Sequence, residues 1–174
     1  MKKNRGLKRI FKSSLYDYNE NFNKYNGYIE LYVPQIGYMN EDINGKEYQI
    51  INFLIENTKH SIPKSANFMY VIDELNILNS HIIISDDSND FNLNLRQESS
   101  EKIPNYLKQI ESKFDLKFTR MVSITEMNFV DYINLEENDK LDILYYIRKD
   151  EEKVMFVTNV LWTWSSTRKE VYNN

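Results

Sequence analysis

The run from Val154 to Trp164 constrains the fold more than any other segment. Val154, Phe156, Val160, Trp162 and Trp164 fall in one alternating register, and Met155, Val157 and Leu161 fall in the other. A strand that is apolar on both faces marks the centre of a sheet, or a strand with one face covered by a partner. Upstream, Leu141, Ile143, Tyr145 and Ile147 alternate up to Arg148, and Lys149 to Glu152 form a charged turn. The pattern predicts a C-terminal hairpin whose second arm is the central strand, with Trp162 and Trp164 on one face and a polar tail from Ser165.

The other segments supply the rest of a layered domain. Over residues 25–33, Ile29, Leu31 and Val33 point one way and Tyr28, Glu30 and Tyr32 the other, as in a half-buried strand. Pro34 and Gly37 stop it, and Asn44-Gly45 marks a turn. Ile51, Leu54, Ile55 and Thr58, widened by Ile50 and Phe53, predict a helix over 46–58. A second helix is expected after Pro63, with Phe68, Val71, Ile72 and Leu75 on one face. His81 to Ser85 reads as a buried strand. It is joined through the polar loop Asp86 to Asp90 to a strand carrying Phe91, Leu93 and Leu95. Pro104 opens a helix with Leu107, Ile110 and Phe114. A strand follows through Leu116, Phe118, Arg120 and Val122, then a short helix capped by Thr125 and ending at Ile133. Hairpins mixed with helices, without regular βαβ alternation, predict one α+β domain over residues 15–174. Its sheet is largely antiparallel, with three or four helices packed on it.

Charge divides the chain. Residues 1–14 hold six basic residues and no acid. The remainder, with 16 basic and 26 acidic residues, nets −10 against −4 for the whole chain. The arm reads as a solvated leader, or as a contact for nucleic acid, anionic lipid or an acidic partner. An acidic body repels a phosphate backbone, so general nucleic-acid binding is not expected. No apolar run approaches the ~18 residues of a membrane span, and Ile10-Phe11 is too short for a secretory apolar segment. The expected location is the cytoplasm. The absence of cysteine excludes disulfides, thiolate metal sites and a cysteine nucleophile.

Motifs of small-molecule chemistry are missing. There is no GxSxG, GxGxxG or GxxxxGK[ST], and the two histidines, His60 and His81, have no metal-ligand spacing. Asp86-Asp87-Ser88-Asn89-Asp90 lacks the glycine of a calcium loop and has Gln97 where its distant Glu would stand, so a hairpin loop is the simpler reading. The acidic pairs Asp73-Glu74, Glu136-Glu137 and Glu151-Glu152 read as solvated neighbours. The chain is expected to be non-enzymatic, with no catalytic residues, no cofactor and no metal. The enzymatic alternative is a hydrolase or nuclease using Asp86, Asp87 and His81 with a divalent ion.

Aromatic residues are the remaining anomaly. Tyr16, Tyr18, Phe22, Tyr25, Tyr28 and Tyr32 cluster near the first strand, interleaved with Asp17, Glu20 and Glu30. Large rings anchor protein interfaces, and acidic surroundings steer a basic partner. For Trp162 and Trp164 core packing is the first reading, ahead of a partner surface and of ligand stacking. The candidate partner contacts are Asp17, Glu20, Tyr28, Glu30, Tyr32, Asp86, Asp87, Asp90 and Trp164.

The pattern Tyr25-x-Gly27-x-Ile29-x-Leu31, with Gln49 and Phe53-Leu54-x-x-Asn57 after a loop, resembles the opening strand and helix of small bacterial domains, among them immunity proteins of polymorphic-toxin loci. The resemblance covers residues 25–57. It implies a compact, acidic, cytoplasmic, non-enzymatic protein that blocks a toxin, with no catalytic residues to carry over. The expected function is therefore a protein-binding inhibitor of a basic toxin or nuclease. A phage-encoded inhibitor of a host defence protein would share these features. A third reading is an assembly module whose last hairpin extends a sheet across subunits.

Overall fold

A computed structural model describes residues 27–32, 47–58, 62, 66–91, 95–99, 102–137, 140 and 142–167. The basic arm, Asp17, Glu20, His60, Pro63 and the Asn44-Gly45 turn lie outside the described residues. Within them the order is β1 (Tyr28–Tyr32), α1 (Glu47–Thr58), β2 (Asn67–Asp73), β3 (His81–Ser85), β4 (Leu95–Gln97), α2 (Asn105–Phe114), β5 (Thr119–Asn128), α3 (Phe129–Ile133), β6 (Tyr145–Lys149) and β7 (Lys153–Thr167). Two 3-10 turns, Ile77–Asn79 and Ser88–Phe91, flank β3. The strands form one sheet in the order β1-β3-β2-β7-β5-β4, with β6 paired to the first half of β7, and every pairing is antiparallel. The architecture is a mixed α+β domain with a seven-stranded antiparallel sheet and three helices packed on it.

β7 holds the centre, as its two apolar registers require. It pairs with β2, β5 and β6 along its length. Facing residues stack apolar groups in rows. Ile84 lies between Ile29 and Phe68, Ile82 between Leu31 and Tyr70, and Trp164 and Trp162 sit opposite Tyr70 and Ile72. This face receives α1 and α2 through Ile50, Ile51, Leu54, Ile55, Leu107 and Ile110, all buried. The opposite face carries a smaller cluster of Met69, Val71 and Ile83, with Tyr28, Phe91 and Leu161 packed against it. A register shift between Ser123 and Ile124 puts one extra residue in β7, which moves Val154 and Phe156 to this second face, under Tyr132 of α3.

Three expectations are corrected. Residues 67–73 form β2, not a helix. Phe68 to Ile72 are buried on both faces of the strand, and a continuous apolar run satisfies helical spacing by accident. The strand after the acidic loop does not return along β3, because β1 and β2 occupy both edges of β3; β4 pairs with β5 instead. Thr125 does not cap a helix. It lies within β5, and α3 begins after Asn128.

Candidate functional site

Among the described strands β1 is the outer one beside β3, and its side chains divide as the alternation predicts. Ile29 and Leu31 join the core, while Tyr28, Glu30 and Tyr32 occupy the other face. Antiparallel pairing sets Tyr28 opposite Ser85 and Tyr32 opposite His81, which brings the loop after β3 to the start of β1. The backbone N–H of Asp86 donates to Gly27 O at 3.1 Å. Gly27 has φ +73°, a left-handed conformation that favours glycine, and a side chain there would run into the Asp86 carboxylate.

The loop orders its own polar groups. Asp87 Oδ1 accepts from Asn89 N–H at 2.8 Å, Ser85 Oγ accepts from Asp87 N–H at 3.1 Å, and the Ser85 hydroxyl donates to Asp90 Oδ2. These are the local bonds that make Asp and Ser good turn residues. The carboxylates of Asp86, Asp87 and Asp90 remain on exposed residues. At the other end of β1, His81 Nε2 lies 2.8 Å from Glu30 Oε1, its Nδ1 lies 3.0 Å from Asn79 O, and its ring meets Tyr32 with centroids 4.8 Å apart. Burial pushes the Tyr28 hydroxyl above its ordinary range, with Glu30 and Asp90 adding to the shift. Burial and then the Glu30 carboxylate do the same to Tyr32. The structure thus gathers Tyr28, Glu30, Tyr32, Asp86, Asp87 and Asp90 along one edge as an acidic patch with aromatic rings.

Trp164 is not part of it. Its ring stacks on Tyr70 at 5.5 Å and 9° and meets Phe68 edge-on, on the helix-covered face. His81 and Asp86 bracket β3 from opposite ends, about 16 Å apart at strand rise, so the three residues of the hydrolase alternative do not converge. Among the described residues, no group of three or more His, Asp or Glu side chains could hold a metal ion. Comparison with known proteins finds no matching family model, curated protein or solved structure. No described helix is long and apolar enough to cross a membrane.

A second polar constellation escaped the sequence because its members are far apart in the chain. Arg120 of β5 bonds Glu74 (Nε–Oε2 3.2 Å) and Glu98, Trp162 Nε1–H donates to Glu74 Oε2 at 2.8 Å, and the Tyr145 hydroxyl donates to Glu98 Oε1 at 2.9 Å. It ties the ends of β2 and β4 to the middle of the sheet. A cleft of about 320 Å³ opens beside it, lined by Arg96, Gln97, Glu98, Ser99, Val122 and Ile147.

Tyr106 of α2 lies near these acids. Its hydroxyl is pushed up to about 12, first by burial and then by Glu74, Glu47 and Asp73. An unfolded tyrosine ionises near pH ~10. Folding therefore favours the neutral phenol, and this contribution is whole below about pH 10 and lost as pH rises through about 12. Tyr106→Phe is expected to flatten the alkaline fall in melting temperature over that window. Superimposable pH profiles of variant and parent would refute the assignment.

Proposed function

We propose that this chain is a protein-binding inhibitor, an immunity protein that neutralises a basic toxin or nuclease in the bacterial cytoplasm. One observation carries the reading. β1 presents Tyr28, Glu30 and Tyr32 on one face, and β1–β3 pairing adds three exposed aspartates at the end of that row. Tyrosine rings supply contact area at small entropic cost, and the carboxylates match lysines and arginines that otherwise grip phosphate. The aspartate loop is held by its own hydrogen bonds, so little ordering is left for the moment of binding.

The test is co-expression with toxins encoded beside the gene, read as rescue of growth, followed by affinity measurement on the purified pair. Binding is expected to weaken with added salt. Asp86→Lys combined with Asp87→Lys is expected to weaken it roughly 10–100-fold, since each tenfold is about 1.4 kcal/mol. Rescue by no neighbouring gene, or binding indifferent to both salt and charge reversal, would reject the proposal. A phage-encoded inhibitor of a host defence protein would use the same patch; a host enzyme as the rescued target would identify it.

A further inference from the structure

The strongest unassigned surface lies on β6, off the main strand order, where Lys140 and Lys149 stand beside the Tyr132 and Tyr146 rings. All five residues of β6 are exposed, and among the described residues β6 pairs only with β7. Among the described residues, its outer edge therefore has no strand to pair with its backbone N–H and C=O groups. Leu144, Tyr145, Tyr146 and Ile147 are consecutive and 37–45% exposed, and Val130 and Ile133 of α3 are exposed as well. Isolated exposed apolar residues are ordinary, but a run along an unpaired strand edge is a template for another strand.

Charge selects the occupant. The Tyr132 and Tyr146 hydroxyls meet at 2.6 Å. Lys149 Nζ stands 5.1 Å from the Tyr132 ring centroid and 5.3 Å from that of Tyr146, and Lys140 Nζ stands 5.6 Å from the Tyr132 ring. Among the described residues neither ammonium forms an ion pair, whereas Arg148 is bound by Asp150 and Lys153 by Glu126. The Tyr132 hydroxyl is held below its ordinary range, first by its hydrogen bond with Tyr146 and then, against burial, by Lys149 and Lys140.

We propose that β6 receives an extended, acidic segment of a partner protein as an added strand, with a carboxylate seated among Lys140, Lys149 and the Tyr132–Tyr146 hydroxyl pair. Backbone pairing supplies sequence-tolerant affinity, Leu144 and Ile147 meet alternate apolar side chains, and the two ammoniums fix which charge enters. This surface is separate from the β1 patch, so its test stands apart from the inhibitor reading.

The probes are two synthetic peptides of about ten residues, alternating valine and threonine, one with glutamates and one with lysines at the same threonine positions. The acidic peptide is expected to bind at least about tenfold tighter than the basic one and to slow amide exchange across Tyr145–Lys149. Lys140→Glu with Lys149→Glu is expected to invert the preference. Lys149→Gln, which adds no charge, is expected to erase most of it and serves if the double variant does not fold. Equal binding of both peptides, no binding of either, or exchange protection outside β6 would overturn the proposal. Self-association of the free chain abolished by Ile147→Lys would also overturn it, since a second copy would then be the occupant.

Discussion

Alanine at position 162 is expected to lower stability by about 3–5 kcal/mol, the largest loss from truncating any one side chain of β7. Trp162 is 2% exposed, lies opposite Ile72 on one side and Arg120 on the other, and belongs to the main core under α1 and α2. Its removal opens a cavity in the strand that every neighbouring strand leans on. It also takes the indole N–H from Glu74, which then keeps only Arg120. At the ~2–4 °C per kcal/mol of a domain this size, the melting temperature should fall by roughly 10 °C. Trp164→Ala is the internal control. That ring is only half-buried and stacked on Tyr70, so its loss should be clearly smaller. Urea unfolding of both variants decides the matter. Equal losses would mean that the two tryptophans share one environment, against the geometry.

The contrast between the tryptophans also shows how far the sequence could be read. Alternation placed both on one face of the last strand, and it placed Tyr28, Glu30 and Tyr32 together on β1, because a period of two is local information. Their separation into a core ring and a half-buried ring depends on Glu74, 88 residues away in the chain, and on the helices above. β2 is illegible for the complementary reason. A strand buried on both faces has no alternation to display, and its spacing at Phe68, Val71, Ile72 and Leu75 mimics a helix. The meeting of the aspartate loop with β1 follows from β1–β3 pairing, which no local pattern specifies. Tyr132, Tyr146, Lys140 and Lys149 come together only once β6 folds against β7 beside α3. The alternation of Leu141, Ile143, Tyr145 and Ile147 suggested a strand with one apolar face to bury. A register shift between Tyr146 and Arg148, and the absence of a described neighbour on the outer edge, leave β6 exposed instead.

Tyr70 offers the second large effect, and it separates packing from hydrogen bonding at one site. The side chain is fully buried, between Ile82 of β3 and Trp164 of β7, and its hydroxyl meets Thr58 Oγ1 at 2.8 Å. Thr58 Oγ1 also lies 2.6 Å from Leu54 O, where its hydroxyl donates. With the threonine proton committed to that carbonyl, the phenol is the donor to Thr58. Tyr70→Ala is expected to cost about 3–5 kcal/mol, chiefly through the cavity. Tyr70→Phe removes the phenol proton but leaves Thr58 bonded to Leu54, so about 0.5–1.5 kcal/mol is expected. Thr58→Val removes both the acceptor that α1 offers the phenol and the Thr58–Leu54 bond, so about 1–3 kcal/mol is expected. The double variant Thr58→Val with Tyr70→Phe should cost less than the sum of the two single losses, because both remove the same bond. Chemical unfolding of the four proteins yields the coupling directly. Single losses that simply add would show that the bond linking α1 to the sheet carries none of the stability assigned to it.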